Sequence, residues 1–288
     1  ALALVPQRVW NNMTQYLLAA IPLFIFMASM LEKSGVIEEV FDVAYKWLGR
    51  IPGGLAVATV VASTVLAAMV GVIGAAVVTM ALVALPSMLR RGYSPVLAVG
   101  TVMAGGTLGI LIPPSVLAIV YGLVANQSVG ELYLGSVFPG LVLSGLYILF
   151  SVGYALLNPK AAPRLGPEET PTWSERWRAL RSIWSPLVLI FLVLGTIFLG
   201  LAAPTEAAAI GAFGAMVVAA IHRRLSWTIL RLALEQTAKA TAMVMWIVFG
   251  ANAFVGFYVA QGGDRYVSEL LRGAGLSPWG ILLLMQGI

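Results

Sequence analysis

The stretch Gly106-Thr107-Leu108-Gly109-Ile110-Leu111-Ile112-Pro113-Pro114-Ser115 sets the tightest limit on what this chain can fold into. It lies in a run apolar enough for membrane, yet it cannot form uninterrupted helix. Pro113 and Pro114 have no backbone N–H, and their rings clash with the preceding turn. Proline also pushes the residue before it out of the α region, and glycine lowers the cost of irregular backbone. Broken backbone at membrane depth survives only where protein buries it or where it lines a watery cavity. There it presents carbonyls and half-helix ends to a solute. The stretch predicts non-helical backbone around Gly109 to Pro114, near the middle of the membrane. Prolines also kink ordinary membrane helices, so the rest of the chain must carry the argument.

Composition fixes the class. The 288 residues are 60% hydrophobic and 10% charged, against roughly 25% charged in a soluble domain, and mean hydropathy is +0.94. This predicts an all-α, polytopic membrane protein, with roughly eight to ten apolar runs at about 20 residues per span. Cysteine is absent, which removes disulfides, iron–sulfur clusters and thiolate zinc sites. The single histidine, His222, stands beside Arg223 and Arg224 and reads as a solvated loop residue. The net charge of +5 lies in basic residues between apolar runs, as in membrane loops, and points to no nucleic acid. No phosphate-cradling Gly-Lys-Ser/Thr loop and no catalytic constellation is present, so neither an ATPase nor another enzyme is expected. The chain opens on Ala1 and ends inside an apolar segment at Ile288, without a signal-peptide pattern, and is expected to be incomplete at both ends.

Residues 13 to 31 read as a first apolar helix. Residues 36 to 50 mix Glu38, Glu39, Asp42, Lys46 and Arg50 with Val40, Phe41, Val43, Tyr45, Trp47 and Leu48, the pattern of an amphipathic helix at the interface. After the turn Ile51-Pro52-Gly53-Gly54, residues 55 to 89 are one tilted helix or a re-entrant hairpin turning at Gly71 to Gly74. The long apolar run 96–125 holds the break, and 131–157 reads as a full span. Residues 158–182 are soluble in character and rich in arginine, which places them in the cytoplasm. They divide the chain into a first membrane half, 1–157, a linker, 158–182, and a second half, 183–288. In the second half, 183–202 and 204–221 are apolar, and 226–237 is amphipathic. An internal repeat runs through both halves. Ser34-Gly35, an amphipathic helix and Pro52-Gly53-Gly54 correspond to Gly262-Gly263, an amphipathic helix and Pro278-Trp279-Gly280. Matched halves are the mark of transporters built from inverted repeats.

Ionisable residues inside a membrane are costly and functional by default, and this chain has few. Glu206, in Pro204-Thr205-Glu206, either caps a helix start or helps shape a site. Asn252 either bonds a neighbouring helix or faces a substrate. Without buried aspartates or histidine pairs for a proton relay, sodium held by backbone carbonyls is the coupling chemistry that needs the fewest side chains.

These residues match a family. The chain resembles the large membrane subunit of tripartite ATP-independent periplasmic (TRAP) transporters. The resemblance rests on Pro22 to Ala28, Ile51 to Thr59, Leu85-Pro86 with Arg91 to Pro95, Gly106 to Ser115, and Ala203 to Ala208. It implies a multi-pass permease of a bacterial or archaeal inner membrane, working with a small membrane subunit and a periplasmic solute-binding protein. It implies sodium-driven uptake of organic acids by an elevator movement, with sodium as coupling ion and no other cofactor. It places sodium on the backbone of Gly109, Leu111 and Pro114, and a hairpin tip at Val70, Gly71, Val72 and Gly74. Gly106, Thr107, Pro113, Ser115, Thr205 and Asn252 are further candidates for the substrate or ion site. Many members carry a Ser-Gly-Ser tip where this chain has Val70-Gly71-Val72, so a site there relies on carbonyls without hydroxyls. The other reading is a stand-alone sodium–carboxylate symporter that needs no binding protein.

Overall fold

The computed structural model describes residues 10, 13–71, 73–164, 171–273, 275 and 277–287. They fall into two compact units, one of residues 16–241 and one of residues 1–15 with 242–288. In the first unit a 3-10 turn, Tyr16–Ala19, leads into α1 (Ala20–Lys33), a little later than the sequence pattern places it. α2 (Val36–Leu48) is the amphipathic helix. Val36, Ile37, Val40, Phe41, Val43 and Ala44 are buried, and Lys46 pairs with Asp42 at 2.6 Å on the polar face.

α3 (Gly54–Val70) and α4 (Ile73–Arg90) settle the open question about residues 55–89. Thr59 Oγ1, early in α3, donates to Met88 Sδ, late in α4, at 3.7 Å. Two helices that pair first turn to last turn are antiparallel, so the segment is a hairpin. Its turn is Gly71, in the left-handed region at φ +61°, where glycine carries no Cβ penalty. With 17 residues, α3 reaches about 25 Å at 1.5 Å per residue, short of the roughly 30 Å hydrocarbon core. The hairpin therefore enters and leaves on one side.

α5 (Pro95–Leu111) starts on the same side, and at 17 residues it reaches the same depth. The chain then leaves the helix at Ile112 (φ −85°, ψ 124°) and re-enters it after Ser115 (φ −117°, ψ 125°), and α6 (Val116–Ala125) completes the crossing. The break thus occupies residues 112–115, and Gly109 and Leu111 belong to the last helical turn. The break starts later than the glycines alone imply, because helix persists until prolines remove its N–H groups. α7 (Val129–Leu157) returns across the membrane. α8 (Trp173–Ser182) and α9 (Trp184–Phe198) meet at a 48° bend, and α10 (Pro204–Ile221) packs against α1. α11 (Trp227–Ala260) is one 34-residue helix, so the amphipathic stretch 226–237 is its first part and no separate element.

Among the described residues five helices are long and apolar enough to cross a membrane, or six if the α8–α9 pair counts as one span. This is fewer than the apolar runs imply, because the hairpin helices and α13 (Pro278–Gly287) are apolar but short. In the second unit Gly262 (φ +79°), α12 (Gly263–Gly273), Gly275 (φ +61°) and α13 follow α11. The order matches α1, Gly35 (φ +76°), α2, Gly53 (φ +66°) and α3.

Hydrogen bonds gather the basic loops of the first unit on one side. Ser94 N–H donates to the Ala161 carbonyl at 2.8 Å, Trp47 Nε1 to the Arg176 carbonyl at 3.4 Å, and His222 Nε2 lies 3.0 Å from the Ser182 carbonyl. That side holds Arg50, Arg90, Arg91, Lys160, Arg164, Arg178, Arg181, Arg223 and Arg224. The opposite loops, 126–128 and 199–203, hold no lysine or arginine. The hairpin opens toward this basic side, the side on which the positive-inside rule expects the cytoplasm.

Candidate functional site

The hairpin tip and the break meet. Val116 N–H points to the Gly71 carbonyl at 3.5 Å. A Cβ built on Gly71 would collide with the Pro114 carbonyl oxygen. Only a residue without a side chain lets the two irregular backbones approach this closely. Neighbouring glycines do the same between helices: a Cβ on Gly106 would run into Val77 of α4, and one on Gly105 into Ser63 of α3.

The double proline decides which carbonyls are free. In a helix the carbonyl of residue i accepts from the N–H of residue i+4. Leu108 still has its partner, Ile112 N–H at 2.9 Å. The partners of Gly109 and Ile110 would be Pro113 and Pro114, which have no N–H. Two carbonyls at the negative end of α5 are thus left without helical partners. Ser115 adds an oxygen. It is 1% exposed, and its Oγ has no hydrogen-bond partner. A buried hydroxyl left unpaired costs roughly 1–3 kcal/mol, and such orphans call for an explanation such as a bound ion. Carbonyl and hydroxyl oxygens are the donor type that a hard cation takes.

The break is braced from behind. Tyr133 of α7, fully buried, donates its hydroxyl to the Ser115 carbonyl at 3.2 Å. Ile112 sits where a Cβ on Gly140 would lie only 2.7 Å away, and it packs with Ala67 and Leu108. Neither Tyr133 nor Gly140 stands out in the sequence. A tyrosine and a glycine in an apolar run carry no local signal of a contact made across the fold.

The remaining sequence candidates fall elsewhere. Val70 is buried beside the tip, Gly74 faces open space, and Val72 lies outside the described residues. Thr107 is exposed, bonded to the Ala104 carbonyl at 2.7 Å and to the Tyr147 hydroxyl at 3.3 Å. Thr205 is buried in the first turn of α10, and no described contact joins it to the break. Glu206 accepts from Ala203 N–H at 2.9 Å, so it caps α10. Asn252, in the other unit, donates to the Val248 carbonyl of its own helix at 2.9 Å.

His222 departs from its reading as a solvated loop residue. It ends α10 with Nδ1 2.9 Å from the Val218 carbonyl, and its Nε2 faces both the Ser182 carbonyl and Glu39 Oε2, the latter at 3.3 Å. It joins α10, α8 and α2 on the basic side.

The chain has relatives among known proteins. The family model described as the tripartite ATP-independent periplasmic transporter, DctM component, matches residues 1–287. The chain belongs to the DctM family. Among its relatives is the C4-dicarboxylate TRAP transporter large permease protein of Pseudomonas aeruginosa, 34% identical over 97% of this chain and 64% of its own length. The corresponding protein of Vibrio cholerae is 32% identical over 99% and 67%. An ectoine/5-hydroxyectoine TRAP transporter large permease of Ruegeria pomeroyi is 30% identical over 93% and 62%. The chain thus spans about two thirds of the length of these relatives. It is a multi-pass membrane protein of a transporter permease family, which is not an enzyme family.

Proposed function

We propose that this DctM-family chain is the substrate-moving part of a sodium-coupled importer of organic acids. It would sit in the inner membrane beside a small membrane subunit and receive substrate from a periplasmic solute-binding protein. One observation carries the reading: the hairpin tip at Gly71 closes on the break at 112–115, where the prolines free the Gly109 and Ile110 carbonyls and the Ser115 hydroxyl is orphaned. In this reading the carbonyls of Gly109, Leu111 and Pro114, with Ser115, hold sodium, the coupling ion and part of the cargo. Pro113 and Gly106 act through backbone and packing. Sodium binding draws the tip onto the break, and the organic acid binds beside it. An elevator movement of hairpin and broken helix, one copy of an inverted pair, then carries both across.

The test is uptake of a labelled C4-dicarboxylate into proteoliposomes, with the small subunit and binding protein present and no ATP. A sodium gradient should drive accumulation, and an equal potassium gradient should not. Equal uptake with either cation contradicts the coupling. Undiminished uptake without the binding protein would turn the reading into the stand-alone symporter.

A further inference from the structure

The apolar face of α2 is not fully sealed. Between α2, the middle of α3 and the α8–α9 junction lies an open groove of about 330 Å³, with walls formed by Val40, Val43, Trp47, Val61, Val65 and Leu180 among others. Its lining is wholly apolar. Val61 and Val65 stand roughly 10 and 16 Å along α3 from Gly54 by helical rise. The groove therefore runs from the interface on the basic side into the hydrocarbon. Water needs polar partners to occupy such a space, and this one offers none.

The interfacial end differs. Arg176 shares a face of α8 with Leu180 and, at the junction, Ile183, by helical spacing. It is 8% exposed, and its Nε is buried without a partner. Its guanidinium lies 5.2 Å from the Trp173 ring centroid. Its carbonyl accepts from Trp47, itself a groove residue. Trp47 meets Trp173 and Trp177 edge-on at 6.1 and 5.9 Å, which fixes α8 on α2. Two acids of the helices that meet here, Glu175 and Asp42, are engaged elsewhere. Glu175 caps the Thr172 N–H at 2.7 Å, and Asp42 holds Lys46 at 2.6 Å. Arg178 and Arg181 add positive charge to the same helix. A buried guanidinium with a donor to spare, at the mouth of a dry apolar groove, has the complement of one molecule type: an acidic head on a hydrocarbon chain.

We propose that this groove binds an anionic phospholipid, with an acyl chain along Val61 and Val65 and the headgroup phosphate on Arg176. The lipid touches α2, the linker helix and the first helix of the hairpin together. It is a site distinct from the hairpin tip, and it does not depend on sodium coupling.

Purified permease, delipidated in detergent and titrated with phosphatidylglycerol or phosphatidylcholine, can be read by native mass spectrometry. Wild type should retain phosphatidylglycerol in preference to phosphatidylcholine. Arg176→Gln should lower that preference about tenfold, the worth of one charge-assisted hydrogen bond. Arg176→Lys should keep most of it, and Val65→Phe should reduce retention of both lipids. A second measurement needs no change at Arg176. The chain has no cysteine, so Val61→Cys takes a photo-crosslinker at one position, and photolysis in native membranes should label a phospholipid. Equal retention of both lipids by wild type overturns the proposal, as does retention unchanged in Arg176→Gln and Val65→Phe. Capture of a protein helix in place of lipid also overturns it.

Discussion

Gly71 carries two independent constraints at one residue. Its φ of +61° costs a side-chain-bearing residue roughly 1–2 kcal/mol, and a Cβ would strike the Pro114 carbonyl. The first cost acts on the fold alone, and the second acts on closure of the tip over the break. Gly71→Ala should therefore insert and fold with a modestly lowered thermal midpoint, yet lose most of its uptake in proteoliposomes. Wild-type uptake would show that the tip need not approach the break. Glu206 illustrates the opposite case. It looked eligible for a site because acids are rare in this membrane domain, and it proves to cap a helix end through Ala203 N–H.

At the scale of elements, the broken helix depends on which N–H groups are missing. Pro113→Ala restores a donor four residues after Gly109, so α5 should lengthen and one free carbonyl should be lost. The expected result is weakened sodium dependence of uptake, with the protein at least as stable to heat. Unchanged sodium dependence would remove Gly109 from the site. His222 ties three elements on the basic side. Both ring nitrogens face acceptors, and a neutral imidazole has only one N–H to offer, so the cation fits best. Burial alone would lower its pKa, but the Val218 and Ser182 carbonyls and the Glu39 carboxylate outweigh it, and the pKa is raised. A raised folded-state pKa means that the stabilisation is fully present below the unfolded value of about 6.5. It is lost as pH rises through the folded value. The difference in melting midpoint between wild type and His222→Gln should be largest at mildly acidic pH and shrink as the buffer turns alkaline. A difference that is constant or grows with pH would contradict the cationic clasp.

At the scale of the molecule, class and the presence of a break were legible because composition and proline chemistry are local properties. The amphipathic helix α2 was legible for the same reason, since its charges and apolar residues alternate on a helical period. The number of spans was not, because a re-entrant helix such as α3 is as apolar as a crossing one and differs only in where it turns. The Tyr133 brace and the His222 junction were also hidden, since they join residues far apart in sequence whose neighbours carry no pattern. If the meeting of tip and break is a cation site, buried Ser115 is where it can be tested most directly. If Ser115 Oγ waits for sodium, the ion must stabilise the folded protein by mass action. Removing the orphaned hydroxyl should remove part of that effect without weakening the ion-free protein. The decisive measurement is the thermal midpoint of wild type and Ser115→Ala in sodium and in potassium at equal ionic strength. Sodium should raise the wild-type midpoint over potassium and raise the Ser115→Ala midpoint distinctly less, with the variant at least as stable as wild type in potassium. An equal sodium shift in both proteins, or no sodium shift in wild type, would contradict the assignment.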